Sequence, residues 1–114
     1  MSSAIHTENA ARIAELNDAF RRAFCGGRVL VTPGVALDPR KDEVVRAVKE
    51  YDFSQADPGD DPYGERDFGV IHLGGDKFYW KIDYFDLALQ YLSPDPSDPS
   101  RTIRVLTIML AEEY

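Results

Sequence analysis

The sequence predicts an α+β fold in which two N-terminal helices pack on a small, mainly antiparallel sheet, in the order α-β-α-β-β-(β)-β. Three observations carry this. Residues 8–24 repeat apolar side chains at helical spacing. Residues 68–85 alternate around the turn signal Gly74-Gly75-Asp76. Residues 103–110 form an apolar run rich in β-branched side chains. A length of 114 residues fits a single domain over 1–114, with residues 1–7 as a flexible tail.

In the first helix Ile13, Leu16, Phe20, Ala23 and Phe24 share one face, with Glu8, Glu15, Arg21 and Arg22 elsewhere. Thr7 is placed as its N-cap, and Gly26-Gly27 as its stop, because glycine accepts the left-handed cap conformation. Arg28 to Thr32 reads as a short strand ended by Pro33-Gly34. Asp38-Pro39 is a helix-start signal, an N-cap acid followed by proline. That second helix runs to about Tyr51 on a stripe of Val44, Val45, Val48 and Tyr51.

The hairpin arms are Phe68 to Leu73 and Phe78 to Tyr84. In the second arm Phe78, Trp80, Ile82 and Tyr84 point one way, toward a core that takes Trp80. Tyr79, Lys81, Asp83 and Phe85 point the other way, where Tyr79 and Phe85 are candidates for a partner surface. Residues 86–92 read equally as a helical turn or a further strand. Ile103 to Leu110, apolar on both faces, reads as a central strand, with a helix from Asp98-Pro99 as the competitor.

Two polar loops stand out. Asp57 to Asp67 packs five carboxylates, one arginine, two prolines and two glycines into eleven residues, so it is neither a helix interior nor a central strand. Ser93 to Ser100 contains three prolines and the carboxylates Asp95 and Asp98. The net charge of −7 is confined to the second half. Residues 1–56 hold eight basic and eight acidic side chains, whereas residues 57–114 hold five and twelve. This argues against direct nucleic-acid binding and against anionic membranes, and favours a protein partner with a basic surface. No apolar run reaches the length that spans a bilayer. The N-terminus lacks the basic head and apolar run of a signal peptide, and a single cysteine excludes an internal disulfide, so the expected compartment is the cytoplasm.

Catalytic patterns are weak. Cys25 stands at a helix C-terminus, where the dipole disfavours a thiolate, and is read as a small packed residue. The glycine pairs match no phosphate-binding loop. Lys81 and Asp83 read as a surface ion pair. The EF-hand pattern fails from Asp57, because Pro62 takes the glycine position and Phe68 the final glutamate position. An irregular metal site in the 57–67 loop, with Asp83 or Asp86, is the enzymatic or calcium-binding alternative, and self-association through the hairpin edge is a third. No cofactor is expected.

Several stretches carry a resemblance. They are Ala14-Glu15-Leu16-Asn17-Asp18-Ala19-Phe20-Arg21, Asp61 to Gly69, Trp80-Lys81-Ile82-Asp83-Tyr84, Ser93 to Pro99 and Arg104 to Ala111. The chain resembles a bacterial domain-of-unknown-function family of small proteins, found largely in alphaproteobacteria and often on plasmids and mobile elements. The resemblance implies no activity and no functional residues. The genomic company it implies points to an anti-defence inhibitor, anti-CRISPR or anti-restriction, whose carboxylates imitate phosphates. The expected partner-binding residues are Asp57, Asp60, Asp61, Glu65, Asp67, Tyr79, Phe85, Asp95 and Asp98.

Overall fold

A computed structural model describes the backbone of residues 3–114 and the side chains from residue 9 onward. Residues 1 and 2, where the expected tail begins, lie outside the described residues. Helix α1 spans Ser3–Ala23, strand β1 Gly27–Val31, a single helical turn α2 Pro33–Ala36, and helix α3 Lys41–Lys49. Strands β2 (Phe68–Leu73), β3 (Asp76–Phe85) and β4 (Ile103–Leu110) follow. The four strands make one mixed sheet in the order β1-β4-β3-β2. β1 runs parallel to β4, and the β4–β3 and β3–β2 pairs are antiparallel. The α+β expectation holds, and 103–110 is a central strand.

Several local readings change. Thr7 lies inside α1 instead of capping it. The helix stops at Ala23, where Phe24 itself takes the left-handed conformation (φ 54°) and its N–H reaches the Phe20 carbonyl. Gly26 then turns the chain at φ 96°. Cys25 is exposed, not packed, in the turn between α1 and β1. Asp38 does not cap α3. Its carboxylate accepts the backbone N–H and the guanidinium of Arg40, which makes a turn, and the helix starts after that turn. Residues 86–92 form no fifth strand, only a turn closed by the isolated bridge between Phe85 and Leu92.

The helices cover one face of the sheet. Phe20 from α1, Val44 and Val48 from α3, and Val35 from α2 meet Ile71, Phe78, Trp80, Ile82, Leu106 and Ile108 in one core. The pleat gives this face alternate residues of each strand, as the β3 reading requires. Gly69 pairs with Trp80 across the hairpin. A Cβ there would stand 2.6 Å from Trp80 Cε2 and 2.7 Å from Tyr51 Cζ, so only glycine lets the indole and the Tyr51 ring close over the strand. The Tyr51 and Phe53 rings meet Trp80 edge-on at 5.3 and 5.9 Å.

Candidate functional site: the acidic end of the sheet

Topology brings the two acidic loops together. Phe68, where the first loop enters β2, pairs with Lys81 near the C-terminal part of β3. Phe85, where β3 leaves for the second loop, pairs with Ile103, where β4 begins. All three points lie at one end of the sheet. The segments 57–67 and 86–101 that meet there hold eight carboxylates against Arg66 and Arg101.

A buried polar node ties this end to α1. Asn17 is fully buried. Its Nδ2 donates to the Glu65 carbonyl at 3.0 Å and to the Tyr84 hydroxyl at 2.8 Å. Its Oδ1 accepts Arg104 Nε at 2.7 Å, and Arg104 Nη2 donates to the Pro96 carbonyl at 2.6 Å. Tyr84 donates its hydroxyl to Glu65 at 2.9 Å, and its backbone carbonyl accepts Ser93 N–H. One loop therefore hangs on Asn17 and Tyr84, and the other on Arg104 and Tyr84. Burial drives the Tyr84 phenol far above its usual range, so this hydroxyl stays a donor. Burial also pulls the Arg104 guanidinium below its usual value.

A second node lies beside the first. Asp18 accepts Arg21 at 3.0 Å and Arg66 at 2.7 Å. Arg21 is almost wholly buried and also donates to the carbonyls of Val48 and Lys49 at the end of α3. Arg66 holds a left-handed backbone (φ 56°), and Asp61 accepts its N–H at 3.1 Å. Such conformations cost energy in a non-glycine residue and persist where surrounding contacts fix them. Here the Arg66–Asp18 pair and the stacking of Arg66 on Phe53 do the fixing.

Several expected partner-binding carboxylates also shape their own turns. Asp57 accepts Gly59 N–H, Asp95 accepts Ser97 N–H, and Asp98 accepts Ser100 N–H, each within two residues. Asp86 does the same for Gln90 and so closes the 86–92 tip, where Leu89 is left-handed at φ 58°. Asp57 and Asp61 border an open depression of about 390 Å³ with Phe53, Ser54, Ala56, Pro58 and Arg66. Among the described residues, no group of three His, Cys, Asp or Glu side chains is placed to hold a metal ion. Tyr79 lies elsewhere, in the middle of the sheet face that the helices leave open, against Phe68 and Tyr114. Phe85 lies at the margin between that face and the acidic end.

Composition reasoning missed the apolar part of this end. Among the described residues, seven large hydrophobic side chains are exposed, and four of them, Tyr63, Leu87, Tyr91 and Leu92, sit in these same loops. The concentration of apolar side chains inside 86–92, in a stretch with no clear period, is the one sequence signal that could have marked them.

Asp67 is the strained carboxylate of the site. Burial pushes it up to about 6, and the nearby charges of Glu65, Asp61 and Asp83 add to the rise. A carboxyl raised in the folded state contributes stability that is fully present below about pH 4 and is lost as pH rises through about 6. Asp67→Asn is therefore expected to stabilise the protein at pH 7.5 by about 1 kcal/mol, after allowance for the solvent that still reaches the group. Urea unfolding at pH 4 and pH 7.5 checks this, since the gain must vanish at the lower pH.

The fold and this end define a two-layer α+β domain that presents a negatively charged, partly apolar loop surface on a buried, hydrogen-bonded polar base. A family model described as a protein of unknown function, DUF3768, matches residues 31–113, and the chain belongs to that family. No curated protein and no solved structure matches the chain.

Proposed function

We propose that this protein is a non-enzymatic binding module that docks its acidic end on a basic surface of a protein partner. The observation that carries the reading is the convergence of loops 57–67 and 86–101 at one end of the sheet, together with the exposed side chains of Tyr63, Leu87, Tyr91 and Leu92. Carboxylates around tyrosine and leucine anchors supply steering and specificity at the rim and desolvation energy at the centre. A nucleic-acid-handling protein is the partner class whose Arg/Lys groove such a surface would occupy. An anti-CRISPR or anti-restriction role is the concrete form, supported by the resemblance to proteins of mobile elements. The proposal places the chain in the cytoplasm, where the exposed Cys25 stays reduced. No helix among the described residues is long and apolar enough to cross a membrane.

The test is affinity capture from the native host, followed by calorimetry with the purified partner. Binding is expected to weaken at least ~10-fold between 50 and 300 mM salt, because the surface charges are screened. Combining Asp57→Asn, Asp60→Asn, Asp95→Asn and Asp98→Asn removes four charges. Asparagine keeps the turn-forming hydrogen bonds, so the fold is preserved. This variant is expected to associate at least ~10-fold more slowly. Unchanged binding by the neutralised variant would sink the proposal.

A further inference from the structure

Arg104 is a buried cation whose hydrogen bonds go only to neutral groups. It is 4% exposed and stands near the start of β4. Its Nε donates to Asn17 Oδ1 and its Nη2 to the Pro96 carbonyl. Arg21, buried as deeply, has the Asp18 carboxylate at 3.0 Å. Among the described residues Arg104 forms no such pair. The charge of Glu65 is felt at Arg104, but that carboxylate accepts the Tyr84 hydroxyl, and the like charge of Arg12 acts in the opposite sense. Buried charges are ordinarily paired. The third guanidinium nitrogen, Nη1, carries two N–H donors and bonds to nothing among the described residues. The side-chain atoms there that are sealed from solvent without a partner are Arg21 Nε and Trp80 Nε1. Nη1 is not one of them, so it keeps contact with accessible space.

Arg104 borders a cavity of about 200 Å³ between α1 and the segment that enters β4. Leu16, Ala19 and Phe20 of α1 and Pro99 of the second loop give it apolar walls, and the exposed Cys25 stands at its rim. We propose that this cavity binds a small organic monocarboxylate, whose carboxylate accepts from Arg104 Nη1 and whose apolar body lies against Leu16, Ala19, Phe20 and Pro99. An apolar cleft with one or two placed polar anchors is the usual form of a small-molecule site. The carboxylate gains a charge-assisted hydrogen bond, and the guanidinium gains a countercharge where burial otherwise works against it. The walls favour an organic acid over an inorganic anion, because leucine and phenylalanine replace none of the water that phosphate gives up. The cavity is smaller than the ~300–1,000 Å³ clefts that take drug-sized ligands, so the acid is short. This inference does not rest on docking by the acidic end.

Titration of the full chain with sodium benzoate, followed by amide chemical shifts, tests it. Benzoate is expected to bind with Kd on the order of 1 mM and to move the resonances of 16–20, 25–27 and 99–104. Benzamide has the same shape without the charge and is expected to bind at least ~10-fold more weakly, as is inorganic phosphate. The benzamide comparison reads the guanidinium without altering Arg104, whose loss would also release Asn17 and Pro96. Saturating benzoate is expected to slow alkylation of Cys25 by N-ethylmaleimide at least ~3-fold, by covering the thiol. Ala19→Trp, at an exposed helix position, fills the cavity and is expected to weaken benzoate at least ~10-fold with little change in melting temperature. No binding up to about 20 mM benzoate overturns the proposal. So does benzamide or phosphate binding as tightly as benzoate, a bound state in which Cys25 reacts at its free rate, or an Ala19→Trp chain that binds like the wild type.

Discussion

Replacing Arg21 with alanine is expected to lower stability by about 3–5 kcal/mol, the usual cost of breaking a buried ion pair from one side. Arg21 is 1% exposed and sits where α1 crosses the end of α3. Its Nη1 donates to Val48 and Lys49, two carbonyls in the last turn of α3, where helices leave such groups without intrahelical partners. Its Nη2 holds Asp18, and its plane lies over the Phe53 and Trp80 rings at 5.4 and 5.5 Å. Alanine removes all of these and leaves the nearly buried Asp18 to Arg66 and to Arg22 at 3.8 Å. Arg21→Lys keeps a charge but loses the fork that reaches three acceptors, so an intermediate loss is expected. Chemical denaturation reads the difference, and for a domain of this size a fall in melting temperature of about 12–20 °C should accompany it. A loss below about 1 kcal/mol would place Arg21 in solvent rather than in the core.

Asn17→Ala is the second large effect, with an expected cost of about 2–4 kcal/mol. Two donor bonds and one acceptor bond disappear from a fully buried site, and the charged Arg104 Nε loses its partner. The distinguishing result is spatial. Because Asn17 and Arg104 pin Glu65 and Pro96, both acidic loops should loosen together. Amide exchange should accelerate in 63–67 and 93–97 while α3 and β2 remain protected. A uniform acceleration over the whole chain would show that the node has no special hold on the loops.

Much of the fold is legible in the residues because strands announce themselves through alternation and β-branching. Phe68–Leu73 and Ile103–Leu110 appear where that pattern places them. The inward side of α1 is read short for one reason: apolar periodicity discards polar residues, and in this chain several polar residues face inward. Arg21 falls off the apolar face of α1 in the sequence pattern, yet it is among the most buried side chains, beside Asn17 and Asp18. Nothing local marks it, since two of its partners lie 27 and 28 residues away. Asp38 illustrates a competition. The same carboxylate that could cap a helix is taken by Arg40, and Arg40 is itself drawn to Asp76 and the Leu73 carbonyl. Composition alone located the acidic loops. Their meeting at one end depends on the β1-β4-β3-β2 order, which is a long-range property that no window of sequence contains.

Hydrogen exchange on the complex with the captured partner probes docking most directly. Protection is expected in 57–66 and 86–101, the Tyr63 and Tyr91 segments included, with the exposed sides of α1 and α3 unchanged. Partner-induced protection on the helices, with both acidic segments exchanging as they do in the free protein, would contradict the assignment of this end of the sheet as the docking surface.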